Sequence, residues 1–444
     1  MIPLAFRNEG RDFAVGHGKA GADDGGIQFA GRYPARWMDG STVDEAEYPF
    51  PPYDYLTTRK RWGRINGRDT RERHTMTLES NVAARPEASR LFEPIDFHSH
   101  GVGKVDFADP PALLNAIDQF EQLLRDEGVL SVLTFYLPQS GFDTFLQLME
   151  SFDAGRRAGA LRHVAGIALE GPLLASRGGT PEAGLWSPSR TQWRDIAQSG
   201  RLGLRYVVLS PDATPDQGIR CKCCSDFVAV DEIVSMLAAG GVRPALGHFR
   251  QDDPARSAAT IRDVARAWGP ACRGPLLSDH LLNDMPRRVT HAWRTEAARA
   301  RRSRELREMN LEGWEVKGLD ERLGPVPAAL LELAAEGAMK IAVNFDGEHL
   351  DLEISKRLVE LFGANCFLLM TDRILSPILA GQPVHQVEGS TLVYERSGII
   401  AGGTQGPWQQ IDRMRDFGFR EPDIVTICRS NPAALLGIEP SQSG

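Results

Sequence analysis

The stretch Pro94–Phe107, PIDFHSHGVGKVDF, leads into DPPALLNAIDQFEQLLRDEG at 109–128 and VLSVLTFYL at 129–137. A short apolar run ends in two histidines and a glycine-containing loop. The next segment has apolar residues at helical spacing, with Asp109 placed to cap its first turn, Pro110 suited to that turn and Gly128 suited to its exit. A second apolar, β-rich run follows at once. The order is strand, helix, strand.

The same alternation recurs along the chain. Apolar runs stand at LFEPIDFHS (91–99), VLSVLTFYL (129–137), VAGIALEG (164–171), LRYVVLSP (204–211), VRPALGHF (242–249), PLLSDHLL (275–282), MKIAVNFDG (339–347) and CFLLMTDRI (366–374). Amphipathic stretches lie between them, such as VAVDEIVSMLAAGG, whose paired glycines would end a helix before the next strand. Eight strand-then-helix units read most simply as a (β/α)8 barrel, here placed over residues 91–444. Residues 1–90 differ. Their glycine- and aspartate-rich GHGKAGADDGGIQFAGR and aromatic-proline YPFPPYDY (48–55) hold neither period, so they are read as an irregular extension, a lid or a dimer arm, with partial disorder as the plainer alternative.

Composition narrows the partners. At 444 residues, 42% hydrophobic and 25% charged, the chain is an ordinary globular protein with a net charge of -8, which argues against a nucleic-acid footprint and for a small-molecule partner. The amino terminus lacks a signal-peptide pattern and no apolar run nears membrane-spanning length, so the expected setting is cytoplasmic, with no membrane partner. Of six cysteines, Cys221, Cys223 and Cys224 cluster without a second pair at zinc-finger spacing. They read as reduced loop thiols rather than a structural metal site.

A barrel of this kind carries its chemistry at the carboxyl ends of its strands. His98 and His100, at i and i+2 of an extended segment, reach the same side. Neutral imidazole is a common zinc ligand, although two surface histidines would look the same in isolation. The other strand ends add Glu170, His248, His280 and Asp372, and His349 follows the seventh run within NFDGEHLD. Any one of these alone fits a core or surface role. Their arrival at one barrel mouth predicts a metal-ion site, zinc foremost.

These residues lie in motifs that resemble the amidohydrolase superfamily, within it the N-acetylglucosamine-6-phosphate deacetylase branch. The motifs are DFHSHGVGKVDF, ALEGPLL, ALGHF, DHLLNDMP, FDGEHLD, LMTDRILSP, IIAGGT at 399–404 and NPAALLGI, spread from about residue 94 to Ile438. The resemblance implies one metal position made by His98, His100, Glu170 and Asp372, and another made by Glu170, His248 and His280. It also implies one or two bound divalent ions and a homodimer. Asp372 would take the proton of the attacking water and pass it to the leaving nitrogen, and His349 would donate a hydrogen bond to the substrate carbonyl. Asn283 and Asp284 would contact polar substrate groups.

The sequence also departs from the family. Where members carry a basic-Gly-x-His stretch that touches the sugar, this chain has ASRGGTPEAG, with Pro181 near the expected histidine. The arginine that often grips phosphate falls near His291, with Arg287 and Arg288 close by as substitutes. The customary split β-sandwich is not expected. The implied reaction is hydrolysis of an N-acyl, foremost N-acetyl, amide on an amino sugar such as N-acetylglucosamine-6-phosphate, or on a related polar amine. The alternatives are another amidohydrolase reaction, cyclic amide opening or deamination, and nucleic-acid or partner binding through the arginine-rich segment 294–309. Mixed signs at helical spacing favour a solvated, ion-paired helix face for that segment.

Overall fold

The computed structural model describes residues 92–213, 227–269, 274–289 and 296–439. The expectations for residues 1–90, for Cys221, Cys223 and Cys224, and for His291 concern positions outside the described residues. Eight parallel strands pair in sequence order: β1 Ile95–Ser99, β2 Leu130–Tyr136, β3 Val164–Glu170, β4 Leu204–Leu209, β5 Arg243–Leu246, β6 Leu276–Ser278, β7 Met339–Val343 and β8 Phe367–Leu369. Each lies inside one of the apolar runs read from the sequence. A bridge between Ser99 and Arg373 brings β8 back to β1 and closes the barrel.

Helices follow the strands in turn: α1 Pro110–Glu127, α2 Phe142–Arg157, α3 Arg190–Gln198, α4 Val230–Gly240 and α5 Pro254–Trp268. Between β6 and β7 lie α6 Glu296–Glu308, α7 Leu319–Leu323 and α8 Pro325–Ala335, and α9 Leu352–Phe362 follows β7. After β8 come α10 Pro407–Asp416, α11 Glu421–Val425 and α12 Asn431–Leu436. The local signals act as expected in α1. The Asp109 carboxylate accepts from Ala112 N, and Gly128 ends the helix at φ 65, a left-handed conformation that glycine adopts without Cβ strain.

Two apolar layers hold the barrel. The larger one packs strand residues such as Leu133, Ile167 and Val207 against helix residues such as Phe120, Phe152 and Ile233. The smaller fills the barrel interior with Phe97, Val132, Tyr206, Val208, Leu277 and Leu368, joined by Ala433 and Leu436 of α12. Tyr206 Oη reaches from β4 to the Phe97 carbonyl on β1 at 2.8 Å and to Thr134 on β2 at 3.0 Å, so it crosses the lumen. Asn431 at the start of α12 donates to the carbonyls of Ala364 and Phe367, which seats that helix at the amino-terminal end of the strands. The opposite end is left for chemistry.

Strands outside the barrel are short. β9 Ile378–Leu379 pairs with β10 Gln382–Pro383, and β11 His385–Gln386, β12 Leu392–Tyr394 and β13 Ile400–Gly403 form a three-stranded sheet. Among the described residues nothing larger resembles a β-sandwich. No described helix is long and apolar enough to cross a membrane.

Glu121 of α1 fastens the outer layer to β3. Its buried carboxylate accepts from His163 N at 2.6 Å, His163 Nδ1 at 2.7 Å and Val164 N at 3.1 Å. Burial alone would raise this carboxyl, but the His163 and Val164 hydrogen bonds outweigh it and hold it below its ordinary 4.5. A depressed folded-state value means that this stabilisation is present above pH 4.5 and lost as the pH falls below it. Glu121→Ala should lower unfolding free energy by about 2–5 kcal/mol, because two backbone N–H groups lose their buried acceptor. Urea titration at neutral pH measures this, and Glu121→Gln should weaken the acid sensitivity seen in the parent chain.

Candidate metal centre at the barrel mouth

Seven donors meet where the strands end. His98 sits in β1 and His100 just beyond it, Glu170 ends β3, His248 follows β5, Asp279 and His280 follow β6, and Asp372 follows β8. None is more than 4% exposed. His248 and Asp372 have φ values of 52 and 50, the left-handed region that non-glycine residues adopt at a cost. That backbone strain sits at two of the strand ends that supply donors.

The distances describe two linked groups. Glu170 Oε2 lies 3.0 Å from His100 Nε2 and 3.2 Å from His98 Nε2, while His100 Nε2 lies 3.5 Å from Asp372 Oδ1. Glu170 Oε1 lies 3.3 Å from His248 Nε2, which lies 3.4 Å from Asp279 Oδ2, and Asp279 Oδ2 lies 3.2 Å from His280 Nε2. One carboxylate, that of Glu170, therefore faces both groups.

The donor chemistry fits a divalent cation. His100 Nδ1 is 2.8 Å from the Thr134 carbonyl and His248 Nδ1 is 3.2 Å from the Ser176 carbonyl. A carbonyl can only accept, so these nitrogens carry protons and each Nε2 is the ring atom left facing the other donors. His98 Nε2 and His100 Nε2 are 2.8 Å apart, a separation that needs a shared proton or a cation. His248 Nε2 and both Asp279 oxygens are buried without a hydrogen-bond partner. Such groups are costly unless a charge compensates them.

Without a cation, protons take that role. Burial would lower His98, but the Glu170 hydrogen bond and the charges of Asp279, Glu170 and Asp372 push it up to about 9. Burial raises Glu170, yet His100 and His248 hold it well below the usual carboxylate range. A metal would displace these protons on binding.

A surrounding shell orients the donors. Asp284 lies 2.8 Å from His248 Nδ1 and accepts from Ser176 Oγ at 2.9 Å. Thr180 Oγ1 donates to Glu170 Oε1 at 2.5 Å, and Tyr136 stacks on His100 with ring centroids 4.2 Å apart. His349 Nδ1 donates to Asp346 at 2.5 Å, leaving its buried Nε2 3.5 Å from Asp372 Oδ2. Partners of this kind fix ring orientation and ligand basicity.

The sequence-expected residues fall into distinct places. The expected metal set, His98, His100, Glu170, His248, His280 and Asp372, is brought together, with His349 beside it. Asp284 is turned to His248. Asn283 is partly buried in the same loop. The Arg287 guanidinium donates to the Val289 and Met285 carbonyls, and Arg288 donates to the Glu321 carbonyl. In ASRGGTPEAG the side chain that enters the mouth is Thr180, one residue before Pro181. Sequence reading missed Asp279, Asp346 and Thr180. Asp279 stood in plain view beside His280 in DHLLNDMP, and Asp346 lies three residues before His349. In the arginine-rich α6, Arg302 is buried and pairs with Asp351 and Arg299 donates to the Gly389 carbonyl, whereas Arg301, Arg304 and Arg307 are exposed.

Removing the cation should be visible in stability. Thermal unfolding of the chelated chain should shift downward and be restored by zinc, by about 2.7 kcal/mol when free zinc is about 100 times its dissociation constant. Glu170→Gln should lose most of that restoration, because its carboxylate faces both groups. An unfolding midpoint indifferent to chelator and zinc would remove the metal assignment.

No protein-family model and no curated protein sequence matches the chain. Solved structures do. N-acetylglucosamine-6-phosphate deacetylase from Pasteurella multocida matches at a TM-score of 0.55 and 15% identity, over 78% of this chain and 76% of that one. The Thermotoga maritima deacetylase matches at 0.53 and 16%, over 78% of each chain. The Mycobacterium smegmatis deacetylase matches at 0.52 and 20%, again over 78% of each. The chain is thus similar to these deacetylases in its (β/α)8 architecture, and it is their barrel fold that carries its buried histidine and carboxylate cluster.

Proposed function

We propose that this chain is a metal-dependent amidohydrolase that cleaves an N-acyl, foremost N-acetyl, amide on an amino sugar or a related polar amine. The observation that carries the reading is the convergence of His98, His100, Glu170, His248, His280 and Asp372 at the carboxyl ends of the strands, with His349 beside them. A divalent ion held there, which we take to be zinc, supplies Lewis acidity and brings the ionisation of a water toward neutral pH.

The chain's own residues handle the protons and the developing charge. Asp372 has one oxygen toward His100 and the other toward His349. It is placed to accept a proton from water and return it to the departing nitrogen. Burial would lower His349, but the Asp346 charge and hydrogen bond outweigh it and raise it above its ordinary value. Its imidazolium form offers Nε2–H to a carbonyl oxygen as negative charge builds there. Burial of these groups excludes water that would screen them.

Two features keep the reading centred on the amide rather than on phosphate. Arg287 directs donors to the Met285 and Val289 carbonyls and Arg288 to the Glu321 carbonyl of α7, and Thr180 stands near the position where a sugar-contacting histidine was expected. The family resemblance extends the reading to a homodimer in the cytoplasm, which light scattering and fractionation test.

The purified, zinc-loaded chain should release acetate from at least one of N-acetylglucosamine-6-phosphate, N-acetylglucosamine and a panel of N-acetylated amines. Full metal occupancy with no turnover of any N-acyl compound would overturn the reaction class. His349→Gln should lower kcat by about 10²–10³ with metal content unchanged, as loss of one oxyanion donor does.

A further inference from the structure

We propose that Asp279 is a metal ligand, the fourth donor of the position formed by Glu170, His248 and His280. The proposal rests on the reading of the mouth as a metal centre but not on the identity of the substrate. The motif resemblance assigns three donors there. Asp279 is the residue it leaves out.

The geometry is that of donors around an ion. Zinc–nitrogen and zinc–oxygen bonds of about 2.0–2.1 Å in a tetrahedron set neighbouring donors about 3.3–3.4 Å apart. Glu170 Oε1 to His248 Nε2 is 3.3 Å, His248 Nε2 to Asp279 Oδ2 is 3.4 Å, and Asp279 Oδ2 to His280 Nε2 is 3.2 Å. Neither Asp279 oxygen nor His248 Nε2 makes a well-aligned hydrogen bond at these separations. Asp279 is 1% exposed, and its other oxygen lies 3.6 Å from His98 Nδ1.

The fold makes room for this carboxylate. A Cβ at Gly247, in the turn after β5, would stand 2.5 Å from Asp279 Cβ and 2.9 Å from its Oδ2. The Asp279 amide donates to the Leu246 carbonyl at 2.9 Å, so its backbone is held against that same turn. Charge points the same way. Glu170 and Asp372 offset two of the four positive charges of a pair of divalent ions, and Asp279 offsets a third inside a buried site. The class of ligand is therefore a divalent cation of zinc type, held by two imidazoles and two carboxylates.

Metal content and affinity test this directly. The full chain, Asp279→Asn and Gly247→Ala would be dialysed against buffered zinc, with ions per chain measured by mass spectrometry and folding checked by circular dichroism. The parent should take up two ions per chain. Asp279→Asn should hold one tightly and bind the other at least ten-fold more weakly, with an altered visible spectrum when loaded with cobalt. Gly247→Ala, which keeps the carboxylate but crowds it, should weaken the same ion and covers the case in which Asp279→Asn does not fold. Two ions bound with parental affinity and an unchanged cobalt spectrum in a folded variant would overturn the proposal, as would a parent chain that binds no second ion. A parent that loads two ions yet hydrolyses no N-acyl compound would sink the reaction class alone.

Discussion

Four imidazoles and three carboxylates lie buried together at the barrel mouth, and the surrounding structure answers to that fact. Ionisable groups taken out of water are stable only when paired, protonated or bound to a cation. His98, pushed up to about 9, and Glu170, held well below its usual range, show what the set does when only protons are at hand. A divalent ion bound there would replace those protons, and the neighbouring backbone holds the donors that would receive it.

That placement depends on the seam between the first and last strands. The buried Asp96 carboxylate accepts from Thr371 N at 3.0 Å and Thr371 Oγ1 at 2.6 Å, across 275 positions of sequence. The Thr371 and Asp372 amides both donate to the His98 carbonyl. Closing the seam brings Asp372 to His100, and without it the two halves of the first group would sit on free sheet edges. Arg373, the next residue, pairs with Glu127 on the outer side and bridges to Gly403 of the three-stranded sheet. Arg177 grips Glu395, beside β12, with two 2.7 Å hydrogen bonds and donates to the Thr180 carbonyl, one residue's length from the hydroxyl that meets Glu170. The additions after β8 thus brace the mouth.

Local strain collects at the same end of the barrel. His248, Leu282, Asp284 and Asp372 all have positive φ. Residues keep such conformations when the surrounding contacts over-determine them. At His248 those contacts are Ser176, Asp284 and the donor group itself. At the His349 loop, Asp351 is held by buried Arg302, so an arginine that looked like surface charge in the sequence positions a loop beside the chemistry.

Sequence alone was enough for whatever depends on neighbours in the chain. Strand runs, the Asp109 cap, the Gly128 exit and the paired glycines that end α4 follow from local periodicity and backbone preference, and all match the elements seen. The histidines, Glu170 and Asp372 were legible because a strand end in a barrel leaves little choice of where a side chain goes. What the sequence could not decide was which polar residues near those ends turn inward. Asp279 enters because Gly247, on another strand's turn, has no side chain. Thr180 meets Glu170 because an arginine clamp to a distant sheet holds its loop. Arg302 is buried because Asp351 lies opposite. These contacts join segments far apart in the chain, so they exist only once strand register and barrel closure have set the distances.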